Sequence, residues 1–405
     1  MRNETLILQA GFGPLQEETK LSLAPLTIFF GPQGSGKSLA SQILYFFRDA
    51  RYLLSRYGKE ASVAPRVRQV VEGLRIGDAP TRALTVFLER TTHVEYVNEA
   101  ITWRLSFRPK TREIEPLKPF ATMIEEWLDE WKHDPQQRPR HRTALFIPAE
   151  RVLLSRFLNT DSSQLGHAAI PYTMREFVFF LQTTAEQWIT TPDAFPHRER
   201  AETLRDWTHD VLGGHEAYER RGRFAGRWQW KMRGEQPIEI EMASSGQMEV
   251  WPILFTARML AASKGPDDEN MPHFLHIEEP EAHLHPRAQV RLAWVLAWLV
   301  RLGFHLTITT HSLTFLYAIN NLLLAHKLFA KQPPPSVPTP PPECWLPSDI
   351  VRAYAFGDGC VQVAMNDEGE INEGLLGETL GTLEAEYYAL WSHATMSETG
   401  DESAR

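Results

Sequence analysis

The feature that most constrains this chain is an eight-residue glycine-rich segment, Gly31-Pro32-Gln33-Gly34-Ser35-Gly36-Lys37-Ser38. It meets the pattern G-x-x-x-x-G-K-[ST] without exception. The apolar run 26–30 before it predicts a buried strand, and apolar residues at helical spacing across 38–57 predict a helix after it. Glycines let the backbone of such a turn curl so that its N–H groups point at phosphate oxygens. The segment therefore predicts a phosphate-binding loop.

Two side chains at the end of this loop predict its ligands. Lys37 supplies a positive charge toward the β- and γ-phosphates of a nucleotide, and Ser38 offers its hydroxyl to Mg²⁺. The N-terminus of the following helix adds a dipole that favours an anion. We therefore expect ATP and Mg²⁺ as cofactors.

Hydrolysis of ATP also needs a metal-binding acid and a residue that positions water. The apolar segment 274–277 predicts a second buried strand, and Glu278 and Glu279 follow it directly. We expect Glu278 to contact Mg²⁺ and Glu279 to act as general base toward the attacking water. This pattern predicts an ATPase that converts ATP and water to ADP and phosphate. The alternative is an exposed acidic turn after a strand.

Three further segments resemble motifs of ABC-type ATPases, in the variant found in Rad50, SMC and the overcoming-lysogenization-defect (OLD) ATPases. Segment 243–247, Ala-Ser-Ser-Gly-Gln, resembles the signature motif. Segment 278–286, Glu-Glu-Pro-Glu-Ala-His-Leu-His-Pro, resembles the second Walker motif with the D-loop. Segment 308–312, Ile-Thr-Thr-His-Ser, is similar to the strand end that carries the switch histidine, here His311. Together with the phosphate loop, the four motifs occur in the order expected for this family.

The resemblance implies a fold and an assembly. The fold is α/β: a P-loop NTPase with an ABC-type (RecF/Rad50-like) head, which has a central, mostly parallel sheet, an antiparallel β subdomain and a helical lobe. ATP would be sandwiched between two copies of the chain in a homodimer or larger homo-oligomer. The signature of one copy would bind ATP on the phosphate loop of the other through Ser244, Ser245, Gly246 and Gln247. His311 would contact the γ-phosphate and sense its loss.

The sequence departs from the family pattern in the metal-binding and D-loop positions. Glu278 stands where other ABC proteins have Asp, although the OLD-like branch commonly has Glu, and His285 stands where the transporter D-loop has Asp. The Q-loop glutamine is also unassigned, because Gln69 and Gln164 both remain candidates and neither follows a clear strand.

Patterns along the chain divide it into five parts. Residues 1–150 are predicted to form an N-terminal ATPase lobe with antiparallel strands, and residues 151–262 a helical lobe that ends in the signature motif. Residues 263–330 complete the ATPase core, and the proline-rich stretch 333–343 is a stiff spacer. Residues 344–405 form a small C-terminal appendage.

Short alternating segments predict the strands of the N-terminal lobe, at 83–88, 93–97 and 101–107. In the appendage, 351–356 and 361–365 predict a strand pair, and 375–390 predict a helix. Two interpretations of the appendage remain open. It is either a cap or partner-docking surface, or a segment that only completes the ATPase fold.

Residues 220–233 contain six basic residues, three aromatic ones and no acidic one. This composition is typical of a nucleic-acid surface. In the alternative, the segment is one strand of a hairpin around Gly234, with its tryptophans in the core and its basic residues paired with Glu239 and Glu241. Direct DNA binding is therefore left open.

Composition restricts the location and the partners. A net charge of −9 argues against a general polyanion binder, and two cysteines fit a reducing cytoplasm. The longest apolar stretch, 290–304, contains Arg291 and Arg301 and is too short to span a bilayer. We therefore expect a cytoplasmic protein without membrane contact.

These observations favour an ATPase without an effector domain of its own, whose nucleotide-dependent assembly regulates a separate effector protein. The resemblance favours a nuclease as that effector, because stand-alone ATPases of this kind frequently belong to bacterial anti-phage defence modules. Two alternatives stay open: a DNA-repair or DNA-structuring ATPase that binds DNA directly, and a scaffold that keeps ATP bound with little turnover.

Overall fold

The computed structural model describes residues 4–76, 90–99, 101–108, 110–111, 113–154, 158, 170–221, 225–232, 234, 236–331 and 339–372, with short pieces at 374, 382 and 385–388. The strands within these ranges are β1 (Glu4–Leu8), β2 (Thr19–Ser22), β3 (Leu26–Phe30), β4 (Thr92–Asn98), β5 (Ile101–Arg108), β6 (Glu113–Leu117), β7 (Ala144–Ile147), β8 (His215–Arg221), β9 (Ala225–Lys231), β10 (Ile238–Glu239), β11 (Phe274–Glu278), β12 (His305–Thr310), β13 (Val351–Gly357) and β14 (Cys360–Val363). The α-helices are α1 (Lys37–Tyr57), α2 (Val63–Ile76), α3 (Phe120–His133), α4 (Tyr172–Thr190), α5 (Arg198–Leu212), α6 (Ser245–Ala262), α7 (Pro286–Arg301) and α8 (Leu313–Phe329).

A six-stranded sheet with the strand order β14-β13-β3-β12-β11-β7 forms the centre of the fold. All neighbouring pairs in it are parallel except β13 with β14. The central strand β3 is buried along its whole length, with Leu26, Ile28 and Phe30 in one hydrophobic core and Phe29 in the other. A continuous apolar run is typical of such a strand, because both faces of a parallel sheet are covered.

The core on one face of the central sheet lies under an antiparallel sheet. This second sheet has the order β2-β1-β4-β5-β6, and its buried residues share a hydrophobic core with α1, α2 and α3. The core on the opposite face contains α4 to α8 and the tryptophan-rich strand β9. The predicted α/β fold class, with a mostly parallel central sheet, an antiparallel β subdomain and helices, is confirmed.

The C-terminal strands belong to the central sheet. Val351 to Ala355 of β13 pair in parallel with Leu26 to Phe30 of β3, directly before the phosphate loop. The prediction of a separate appendage is therefore wrong for 351–363, and the alternative, completion of the ATPase fold, is observed there. The physical reason is that β3 would otherwise be an edge strand with unpaired backbone groups.

Most predicted elements agree with the structure, and the differences are local. The segment 238–242 is predicted as the second strand of the hairpin around Gly234, but residues 240–242 form a short 3₁₀ turn. The sequence patterns did not indicate β8, which is the longer partner of β9. The predicted strand 83–88 and most of the spacer 333–343 and of the helix 375–390 lie outside the described residues.

Helices α7 and α8 are rich in apolar residues. Within the ranges that the structure describes, no helix combines the length and the hydrophobicity needed to cross a membrane.

Candidate nucleotide-binding site

The glycine loop has a backbone that other residues rarely adopt. Gly31, Gly34 and Gly36 have φ angles of 137°, 76° and 98°. Helix α1 begins immediately after Gly36, at Lys37. The loop therefore directs its chain into a helix N-terminus, the setting in which backbone N–H groups bind phosphate.

Gly31 is also constrained by the C-terminal strand. A Cβ atom on Gly31 would lie 1.9 Å from the carbonyl oxygen of Phe356 in β13. No side chain fits that space, so the loop and β13 are in direct backbone contact. This contact connects the start of the phosphate loop to a strand more than 300 residues later in the chain.

Lys37 is buried, and its ammonium group lies inside the loop. Its Nζ atom donates hydrogen bonds to the carbonyl oxygens of Gly31 (2.8 Å) and Pro32 (2.7 Å). Burial lowers the pKa of Lys37, whereas the charges of Glu279 and Glu281 act in the opposite direction. The ammonium group is thus held among acceptors where a polyphosphate would compete for it.

Ser38 and Glu278 line one cavity of about 670 Å³ at the carboxyl edge of the central sheet. Gln42, one turn after Ser38, donates from Nε2 to Oε1 of Glu278 (3.3 Å), and its own Oε1 is buried without a hydrogen-bond partner. A serine hydroxyl and a carboxylate are the oxygen ligands that Mg²⁺ prefers. The donor set therefore fits Mg²⁺ with Ser38 and Glu278 as its ligands, and a bound Mg²⁺ would neutralise phosphate charge.

Glu279 faces His311 across two neighbouring strands. The parallel pairing places Glu278 of β11 opposite Thr309 of β12, so the residues after each strand are adjacent. Oε1 of Glu279 lies 3.6 Å from Nδ1 of His311. This neighbour lowers the pKa of Glu279, and the carboxylate in turn raises the pKa of His311. Glu279 is therefore held as a carboxylate, the form that a general base requires.

Glu281 is a site residue that the sequence patterns did not indicate. It is buried, and its Oε1 accepts hydrogen bonds from Oγ1 of Thr310 (2.6 Å) and from the backbone N–H of His311 (3.1 Å). The carboxylate thereby fixes the turn that carries His311. Its position in the Glu-Pro-Glu segment was visible in the sequence, but its partner lies about 30 residues later and depends on the fold.

Arg151 is the second residue that sequence reasoning missed. Its guanidinium is fully buried behind the two glutamates, where Nη1 donates to the carbonyl oxygen of Glu278 (2.6 Å) and Nη2 to that of Glu279 (2.8 Å). Burial lowers the pKa of Arg151, whereas the surrounding carboxylates act to raise it. The only local signal is an arginine shortly after a strand that ends at a proline, which is too common to identify a role.

The signature residues form the start of α6. Ser244 is the N-cap, and Ser244 and Gln247 form a reciprocal capping box. The sequence from Gln247 onward predicts a helix that starts there, with Ser244 and Gly246 before it. The helix instead begins at Ser245, and Gly246 lies in its first turn, because the capping box stabilises the earlier start.

Of the two Q-loop candidates, the structure describes only Gln69, and it does not line this site. Gln69 lies on α2 and accepts a hydrogen bond from the backbone N–H of Lys59 (2.9 Å), and it is not among the residues that line the cavity. Gln164 lies outside the described residues. The turn after β7, which carries Glu150, does line the cavity beside Ser38.

The basic segment at 220–233 is only partly described, and its described part favours the hairpin interpretation. Trp228 and Trp230 are buried in the main core, and Arg227 forms an ion pair with Glu239. Buried tryptophans cannot stack on nucleic-acid bases. Trp228 and Trp230 therefore do not support a DNA surface, whereas Phe224 lies outside the described residues.

The sheet order, the glycine loop and the residues after β11 and β12 define an α/β P-loop ATPase fold. Residues 184–316 match the family model described as AAA ATPase domain. This segment contains 244–247, Glu278, Glu279 and His311, and the match supports the predicted ATPase class. No curated protein matches the sequence.

Among the solved structures that are similar to the chain, three contain SMC heads. One is an SMC head bound to the C-winged helix domain of ScpA (13% identity, 90% of this chain and 97% of that chain, TM-score 0.47). Another is an SMC head domain from Thermotoga maritima (12% identity, 90% and 98%, TM-score 0.41). The third is an SMC head domain with an extended coiled coil, bound to the C-terminal domain of ScpA and derived from Pyrococcus furiosus (13% identity, 90% and 96%, TM-score 0.45).

Proposed function

We propose that this chain is an ABC-type ATPase that hydrolyses ATP with Mg²⁺ and uses the nucleotide to control its own assembly. The observation that carries the proposal is the meeting of Lys37, Ser38, Glu278 and Glu279 at one edge of the central sheet. These groups supply a phosphate-binding cation, metal-binding oxygens and a carboxylate base, which are the parts that phosphoryl transfer to water requires.

The position of the signature supports a site completed by a second copy of the chain. Ser244 and Ser245 are exposed at the N-terminus of α6, and Met242 beside them is 73% exposed. None of the signature residues 244–247 lines the cavity that Ser38, Glu278 and Glu279 share. An exposed helix N-terminus favours an anion, so the γ-phosphate of ATP on a second copy is the ligand that we assign to Ser244, Ser245, Gly246 and Gln247.

We infer the downstream partner from the resemblance to OLD-like ATPases. In this proposal the ATP-bound homodimer or larger homo-oligomer binds a separate effector in the cytoplasm, and the effector is a nuclease that acts in anti-phage defence. Hydrolysis would release the assembly, so that Glu279 limits the lifetime of the active state and His311 reports the loss of the γ-phosphate.

Three measurements on purified protein test the proposal: binding of a fluorescent ATP analogue, mass in solution and phosphate release from ATP. Binding of a fluorescent ATP analogue should be lost in Lys37→Ala, and the mass of the wild-type protein in solution should at least double when ATP and Mg²⁺ are added. Equal ATP binding by Lys37→Ala would contradict the site assignment. ATP-dependent assembly without phosphate release would favour the scaffold alternative.

The effector is tested separately. An ATP-dependent pull-down from the native host should recover a nuclease with wild-type protein and not with Lys37→Ala. Stimulation of ATP hydrolysis by DNA, with a steep dependence on salt, would instead support the DNA-binding alternative.

A further inference from the structure

One buried side chain, Arg151, connects three separate segments of the fold. Besides its bonds to the carbonyl oxygens of Glu278 and Glu279, Nη1 donates to the carbonyl oxygen of Pro148 (2.7 Å) and Nε to that of Glu249 (2.7 Å). The acceptors lie in the turn after β7, at the end of β11 and in α6. Since all are backbone carbonyls, the guanidinium fixes the relative positions of the three chain segments themselves.

Glu249 makes this connection specific to the signature helix. It lies in α6, five residues after Ser244, and Oε2 of its carboxylate is 3.2 Å from Nε of Arg151. This carboxylate compensates a guanidinium that is 0% exposed, a charge that would be costly to bury alone. Arg151 is therefore attached by hydrogen bonds and by charge to the helix that presents the signature.

A second contact joins the same two regions. Gly246 lies so close to the turn after Glu279 that a Cβ atom on it would be 2.7 Å from the carbonyl oxygen of His283. His283 has a φ angle of 58°, and Glu279 has one of 43°, both unusual for residues other than glycine. A closely packed turn with little conformational freedom transmits a displacement of the glutamates to the signature better than a flexible turn would.

We propose that Arg151 is a positioning residue that couples the two ATP sites of the dimer. The inference rests on the proposed function, in which each site uses Glu279 of one copy and the signature of the other. Within one copy, Arg151 links the glutamate turn of its own site to the signature that serves the opposite site. A change of state at one ATP therefore shifts a ligand of the second ATP.

Mixed dimers separate this coupling from a local role. Differently tagged copies are assembled with ATP and purified through both tags. The reference dimer combines wild type with Glu279→Gln, so its only active site uses wild-type catalytic groups and the signature of the mutant copy. The test dimer carries Arg151→Lys in addition, on the Glu279→Gln copy only. We expect phosphate release about fivefold slower, or more, in the test dimer.

A matched substitution controls for general damage to α6. Arg258 is a mostly buried arginine within α6 itself, and it pairs with Glu216 of β8. Arg258→Lys on the same copy should leave phosphate release at the reference rate. A test dimer that is as fast as the reference would overturn the inference, because Arg151 would then serve only the glutamates of its own copy.

Two further results keep the test decisive. If circular dichroism shows that Arg151→Lys does not fold, Glu249→Gln replaces it in the test dimer. This variant keeps the backbone acceptor of residue 249 and removes the side-chain charge. Phosphate release at the reference rate would again overturn the coupling. If ATP produces no dimer even of Glu279→Gln, the composite site fails, and the proposed function and this inference fall together. If the dimers form but substitution of residue 151 or 249 does not change phosphate release, the inference is contradicted and the proposed function is not.

Discussion

The carboxylate of Glu279 lies 3.6 Å from Nδ1 of His311, and the two residues directly follow neighbouring parallel strands. Parallel strands end at one edge of a sheet, so residues about 30 positions apart in the chain become neighbours there. The pair combines a carboxylate whose pKa is lowered with a histidine whose pKa is raised. Each group of the pair therefore favours the charged form of the other.

The first prediction concerns Glu279→Gln. An amide keeps the size of the side chain but cannot accept a proton from water, so ATP binding should persist while turnover falls by about 10²–10⁴-fold. Single-turnover phosphate release measures this effect, and Glu343→Gln, at an exposed position, is the control. Wild-type turnover in Glu279→Gln would exclude this residue as the base.

The second prediction concerns the pH dependence of hydrolysis. His311 lowers the pKa of Glu279, so His311→Gln should raise that pKa. The base is active when deprotonated, and therefore the acidic limb of the kcat profile should move to higher pH. His133→Gln, an exposed residue on α3, should leave the limb in place. If the acidic limb of the kcat profile does not move in His311→Gln, the Glu279–His311 pair does not set the pKa that this limb reports.

The third prediction compares two glycines of the loop. Gly31→Ala places a methyl group 1.9 Å from the carbonyl oxygen of Phe356, whereas no atom lies within 4 Å of the same position in Gly34→Ala. Both have positive φ angles, so both variants carry backbone strain of roughly 1–2 kcal/mol. We expect Gly31→Ala to lose about 3 kcal/mol or more of unfolding free energy in urea. Equal losses in both variants would contradict the contact with β13.

The fourth prediction concerns Asp49, which lies at a non-helical kink within α1 (φ −124°, ψ 17°). Its Oδ1 accepts hydrogen bonds from the backbone N–H (2.8 Å) and Oγ1 (3.0 Å) of Thr143, and burial raises its pKa to about 7. The folded state therefore keeps a proton that the unfolded state loses at lower pH. Stability should fall as pH rises between about 4 and 7, by up to roughly 1.4 kcal/mol per pH unit.

Asp49→Asn removes this titration while keeping an acceptor for Thr143. The unfolding free energy of the variant should depend less on pH than that of the wild type, and the variant should gain most relative to the wild type above pH 7. Urea denaturation at several pH values measures both quantities. Asp193→Asn, at an exposed position, should retain the wild-type pH dependence. A parallel pH dependence in Asp49→Asn and wild type would contradict the raised pKa.

Local patterns predicted much of the fold and part of the site. Segment 31–38 is contiguous, and its glycine spacing and flanking apolar runs report the loop directly. The strand before Glu278 and the strand before His311 were also readable, because buried parallel strands are short apolar runs. Strand β8 was missed, since its charged and polar residues lack clear alternation.

The phosphate loop, the two glutamates and their order along the chain are predictable from the residues alone, because each depends on neighbouring residues. Three contacts follow only from the folded chain: β13 pairs with β3, Phe356 contacts Gly31, and Arg151 joins the glutamate turn to the signature helix. These are contacts between distant segments, many of them to backbone atoms, which every residue type offers alike. The pattern of side-chain types therefore does not predict these contacts, and they are observed only in the folded chain.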